Sequence, residues 1–137
     1  MKVKNLIGAA LVAACGIARV QAGEDGTWWK VAATMDGKTS YEVKTGSLIT
    51  TKRGAAIVTT RVIDQDTTHV SFYLMGLRLQ SCAEEMGQLT VFDLKGNKLS
   101  SMDFVLGGGS ITSGMAEAIC GMAHARAGHV ANKASEL

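Results

Sequence analysis

At Gly107-Gly108-Gly109-Ser110 the spacing of the hydrophobic residues changes, and that change decides the fold class. Before it, apolar side chains alternate with polar ones in short runs, the period of a half-buried strand. After it, Ile111, Met115, Ala118, Ile119 and Met122 recur at steps of three and four, the period of an amphipathic helix. Strands followed by a helix read as an α+β chain. No proline occurs among the 137 residues, so glycine supplies the breaks.

The strand runs can be placed one by one. Residues 27–34 (TWWKVAAT) meet Asp36-Gly37, a dipeptide favoured in type I′ hairpin turns. Residues 39–49 return with Tyr41 and Val43 on one face and Ser40, Glu42 and Lys44 on the other. A turn over 50–54 leads into 54–63, which is rich in β-branched side chains and suits a strand. After the polar link 64–68 comes the longest apolar stretch beyond the N-terminus, 69–82. It is greasy on both faces, with Val70, Phe72 and Leu74 opposite Tyr73, Met75, Leu77 and Leu79. That predicts a central strand covered on two sides along its first half. Residues 88–106 form a hairpin turning at Gly96-Asn97. Thr112 or Ser113 is the expected cap of the helix, without a clean capping box.

The N-terminus carries a different signal. Lys2 and Lys4 precede an uncharged run from Leu6 to Ala18, 13 residues, which is too short to span a bilayer at about 20 residues. A basic start, a short apolar core and small residues after it mark an export signal. Two cuts compete. Val20-Gln21-Ala22 fits ordinary signal peptidase and would leave Gly23 first. Val12-Ala13-Ala14-Cys15 resembles a lipobox, which would make Cys15 a lipid-bearing first residue and the chain's link to a membrane. The expected organisation is a signal peptide at 1–22, a domain at 23–125 and a tail without fixed structure at 126–137.

Export changes the charge. Losing Lys2, Lys4 and Arg19 takes the 14 basic residues to 11 against 12 acidic, a net charge of −1. A nucleic-acid footprint needs a basic face, and no such face is expected. Export also changes the reading of the cysteines. Cys82 and Cys120 remain, and an even pair outside the cytoplasm most often forms a disulfide. The expected fold is therefore α+β, an antiparallel sheet of about six strands with a C-terminal helix packed on one face and stapled by Cys82–Cys120.

Few residues carry the pattern of a reaction. His124 and His129 are five apart, not the spacing of a helical zinc motif, and pairing the cysteines removes the thiolate that nucleophilic catalysis with His69 would need. GGGSITSG (107–114) has glycine amides before a helix but lacks the lysine of a phosphate loop. Glu84, Glu85 and Asp103 form no visible acid pair. No catalytic, metal or cofactor site is expected. Trp28 and Trp29 are adjacent in a strand, so one must point away from the core, where an aromatic side chain can anchor a partner. Lys52-Arg53 at a turn tip suits acidic groups. Candidate partner contacts are thus Trp28, Lys52 and Arg53.

The succession WWKV, DGKTSYEV-KTGSL, AIVTTRV, LRLQSC, a long hairpin and GGGSITSGMAEAIC resembles the surface-adhesin protein E family of exported bacterial envelope proteins. The resemblance covers roughly residues 27 to 121 and rests on Trp29, Tyr41, Ser47, Cys82 and Cys120. It implies a six-stranded sheet with a pinned helix. It also implies an adhesin-like role, binding host or extracellular proteins, although no binding motif transfers residue by residue and this chain lacks the family's basic or proline-containing segments. The function expected is a non-catalytic envelope protein acting by surface contact, in the periplasm, at the cell surface or secreted. Its rivals are a periplasmic structural or accessory module and a small-ligand carrier or enzyme with an apolar pocket.

Overall fold

The computed structural model describes residues 27–135, with side chains through residue 128. The expected export signal, its two candidate cleavage sites and Cys15 lie outside the described residues.

The chain builds one antiparallel sheet and lays a helix on it. In chain order the elements are β1 (Trp28–Ala33), β2 (Thr39–Lys44), β3 (Ile49–Thr50), β4 (Ala55–Asp64), β5 (Val70–Arg78), α1 (Leu79–Glu84), β6 (Met86–Phe92), β7 (Lys98–Val105) and α2 (Ile111–Ser135). The strands lie side by side in the order β1-β2-β4-β5-β6-β7, with the short β3 paired to β4 beside β2. β4 and β5, the longest pair, run in register from Ala55 opposite Arg78 to Ile63 opposite Val70.

Alternation sorts the side chains between two faces. Val43, Ala56, Val58, Met75, Leu77, Leu89, Val91 and Phe104 are buried on the face that α2 covers with Met115, Ala116 and Ile119. This is the helix and sheet face read from the sequence. Among the described residues nothing is layered over the opposite face. Val70 and Phe72 stand there 36% and 45% exposed, so β5 is central in the sheet but not covered on two sides. The apolar character of both its faces failed as a guide because the far one is left open.

The long stretch 69–82 is not one strand. β5 ends at Arg78, and Leu79–Glu84 turn into the short helix α1, so Cys82 sits on that helix rather than at a strand end. Glu85 closes α1 in the left-handed conformation, φ 64°. α1 packs closely on β6, where a Cβ on Gly87 would collide with the Ser81 side chain. Cys82 and Cys120 are bonded, with their Cα atoms 5.7 Å apart, and so join α1 to α2.

The first hairpin turn differs from the type expected. At Asp36-Gly37 only the glycine has a positive φ, 74°, whereas a type I′ turn needs two such residues. The loop is longer, closed by Gly37 N–H on Thr34 O and Thr34 N–H on Thr39 O. The second turn is centred ahead of Gly96-Asn97: Gly96 N–H donates to Asp93 O and Asp93 N–H to Asn97 O, with Gly96 at φ 94°. In each, a carboxylate gathers the loop amides (Asp36 from Lys38, Asp93 from Lys95 and Asn97) and fixes the turn.

Helix α2 is capped by Ser110, whose Oγ accepts from Ser113 N–H at 3.0 Å; Ser113 instead donates its hydroxyl to Val105 O at 2.7 Å. Neither expected residue caps. The helix also continues past 125, through Ser135. Its last turns lack an apolar stripe in the sequence, but they are rich in alanine and contain no proline, and a lone Gly128 costs only about 1 kcal/mol against alanine.

Candidate functional site

Trp28 lies on the open face. Its cross-strand partner is Lys44, and Glu42, paired with Lys30, faces the same way. The Arg61 guanidinium sits 4.5 Å from the centroid of the Trp28 ring, and the Phe72 ring lies 6.0 Å away, tilted by 54°. Arg61 also donates from Nε to Glu42 at 2.6 Å. Four strands thus contribute one cluster: Trp28 from β1, Glu42 from β2, Arg61 from β4 and Phe72 from β5. Cation–aromatic contact and ion pairing hold Arg61 in place, and Arg61 holds the indole. Lys30 and Lys44 remain exposed around it. An aromatic floor edged by more positive than negative charge can take apolar and acidic groups of a partner.

The other two candidate contacts are elsewhere. Lys52 and Arg53 are exposed in the β3–β4 turn, before Ala55. From Ala55 to Arg61 is six residues of strand, on the order of 20 Å at the usual rise. They do not join the Trp28 cluster. Trp29, on the other side of β1, is 49% exposed.

Arg61 and Phe72 were missed in the sequence. Arg61 is the charged residue inside an otherwise uncharged β-branched run, which was a signal of a tethered surface cation. Its partner could be named only once the β1-β2-β4 order was known.

The residues weighed for chemistry are spread apart and mostly engaged locally. Asp103 accepts from Gln88, and Glu84 from Gln80. His69 follows an exposed loop in which its N–H donates to the Thr67 hydroxyl. The Gly107 amide of the glycine loop donates to the Glu117 carboxylate, so an anion there would meet a negative charge already in place. Among the described residues no three His, Cys, Asp or Glu side chains gather as a metal site.

On the helix side the molecule has a concave feature the sequence did not announce. An open cleft of about 820 Å3 lies between β3, α1 and α2, lined by Thr50, Thr51, Leu79, Ala83, the Cys82–Cys120 bridge, Ala123, His124, Arg126 and Ala127. Arg126 donates from Nη2 to Leu48 O at 2.7 Å, which ties the helix to the loop before β3. Reading 126–137 as a tail hid this cleft, since one wall belongs to residues 123–127. The cleft is lined by His124 and not by His69.

The disulfide belongs to an oxidising compartment. Among the described residues no helix is long and apolar enough to cross a membrane, which leaves strand-built spans unaddressed. Compared with known proteins, the chain matches no family model, no curated protein and no solved structure.

Proposed function

We propose that this chain is an exported, non-catalytic envelope protein that works by surface contact, offering the open face around Trp28 to an extracellular or envelope protein. The observation that carries this reading is the Trp28–Arg61–Phe72 cluster on a sheet face that nothing in the described chain covers. A large aromatic held by an arginine has the composition of a binding hot spot. The export-like N-terminus and the disulfide support a site of action outside the cytoplasm, and the resemblance to the protein E family supports adhesion as the kind of contact. Lys52 and Arg53, some distance away, are then accessory at most.

The test has two parts. Protease added to intact cells should cleave the protein, and mass spectrometry of the mature product should show Gly23 or a lipidated Cys15 as its first residue. The purified mature protein should bind immobilised extracellular-matrix proteins, and Trp28→Ala should weaken that binding by about 10-fold or more, the scale of a hot-spot loss of roughly 2 kcal/mol. Protection from protease on intact cells, with release after the outer layer is opened, would favour the periplasmic accessory module instead. Binding indifferent to Trp28→Ala would remove the open face from the reading.

A further inference from the structure

The cleft beside the disulfide lies on the helix-covered side of the sheet, away from the Trp28 cluster, and its chemistry is different. Its volume, about 820 Å3, falls within the roughly 300–1,000 Å3 typical of small-molecule sites. Leu79, Ala83, Ala123, Ala127 and the two bonded sulfurs give it an apolar wall. The polar residues along it are Thr50, Thr51, His124 and Arg126. Among the described residues that line it there is no carboxylate. The ion pairs among the described residues are Lys38–Asp66 and Arg61–Glu42, so Arg126 has no acidic partner there.

Arg126 is also placed in advance. One of its five N–H donors is spent on Leu48 O, which fixes the guanidinium beside β3 and leaves four. A planar fork with spare donors matches a carboxylate, and a charge-assisted pair of hydrogen bonds is about twice as strong as a neutral one. A ligand suited to this cleft needs a flexible apolar body and one compact anionic head.

We infer that the cleft binds a monomeric single-chain carboxylate amphiphile, of the fatty-acid class, with its chain along Leu79, Ala83, Ala123, Ala127 and the disulfide and its carboxylate on Arg126. The threonine hydroxyls supply further donors to the head. This site is independent of the contact surface: either can fail without the other.

Three probes of equal chain length separate the contributions. Dodecanoate and dodecyltrimethylammonium below their micelle concentrations, and dodecanol below its solubility limit, are titrated into the purified mature protein and followed by calorimetry and by backbone-amide NMR. Dodecanoate should bind one to one and shift the amides of Thr50, Leu79, Ala83 and Ala127. Dodecanol should bind about 10-fold more weakly, the loss expected for a charged hydrogen bond worth roughly 1.5 kcal/mol, and the cation more weakly still. Arg126→Gln should reduce dodecanoate to the level of dodecanol and leave dodecanol unchanged. Ala127→Phe, at an exposed position, should block both while the rest of the amide spectrum stays as in the parent. Equal affinity for the three head groups, indifference to Arg126→Gln, amide shifts confined to the open sheet face, or binding seen only on vesicles containing anionic lipid would each overturn the assignment.

Discussion

Ser47 has a task that no strand performs. β2 and β3 both lie along one edge of β4, β2 beside residues 60–64 and β3 beside 56–57, which leaves Thr59 between them. The Ser47 hydroxyl closes that gap, accepting from Thr59 N–H at 2.9 Å and donating to Lys44 O at 2.7 Å. Ser47→Ala removes both bonds and strands a half-buried amide, a loss of about 1–2 kcal/mol. Urea unfolding should show the lowered midpoint with an unchanged slope, and a change below about 0.3 kcal/mol would mean that water replaces the hydroxyl. The turn aspartates act through protons. The Lys38 amide and then the Thr34 hydroxyl hold the Asp36 carboxyl below its ordinary value, and the Asn97 side chain and then its amide do so for Asp93. A carboxyl with a lowered folded-state pKa contributes stability that is full above the unfolded value, near 4, and is lost as pH falls through the folded one. Stability should therefore decline below about pH 4, and Asp93→Asn, which cannot titrate, should flatten that decline in an acid-unfolding series.

At the level of elements, the period change at Gly107 was decisive and the ends were not. β1, β4, β7 and the start of α2 fall where alternation and helical spacing put them, because burial on one face imposes those periods; the run 39–49 instead breaks after Lys44 and resumes as the short β3 at Ile49–Thr50. The failures have local causes. Residues 79–84 turn into α1 because Gly87 lets a helix sit on β6, a contact invisible in the stretch itself. Ser110 outcompetes Thr112 and Ser113 as cap because it stands one residue before the first helical turn, where its oxygen reaches the Ser113 amide. Ser110→Ala should cost about 1 kcal/mol, measured by thermal unfolding; Thr112→Ala, which removes only an exposed contact to the Met102 sulfur, should cost much less. The disulfide links the two helices across 38 residues of sequence. The chain-entropy model gives such a loop about 4 kcal/mol. Reducing the bond, or replacing both cysteines with alanine, should lower denaturant stability by an amount of that order and speed exchange of the amides around Cys120. If the reduced protein unfolds at the same urea concentration, the sheet and helix hold each other without the bond.

The whole molecule has unequal faces, and this asymmetry is what sequence periodicity could not convey. Leu89 and Phe72 are both large, apolar residues in interior strands, and alternation treats them alike. Leu89 is 1% exposed beneath α2, whereas Phe72 is 45% exposed on the open side. Truncating a fully enclosed leucine removes its transfer energy and leaves a void, about 2–5 kcal/mol. Truncating Phe72 removes part of one ring's burial and its edge contact with Trp28, worth roughly 1 kcal/mol. Leu89→Ala should thus lower the unfolding free energy several times more than Phe72→Ala, in urea titrations run side by side. A polar substitution separates the faces further. Phe72→Ser should leave a folded protein, while Leu89→Ser buries a hydroxyl without a partner and should unfold most of the population at 37 °C. If Phe72→Ala proves as costly as Leu89→Ala, the far face must be covered in solution, and the open surface on which the contact reading stands would not exist. A small Phe72 effect means that selection for folding does not explain an aromatic cluster there, and contact with another molecule becomes the reason for keeping Trp28, Arg61 and Phe72 together.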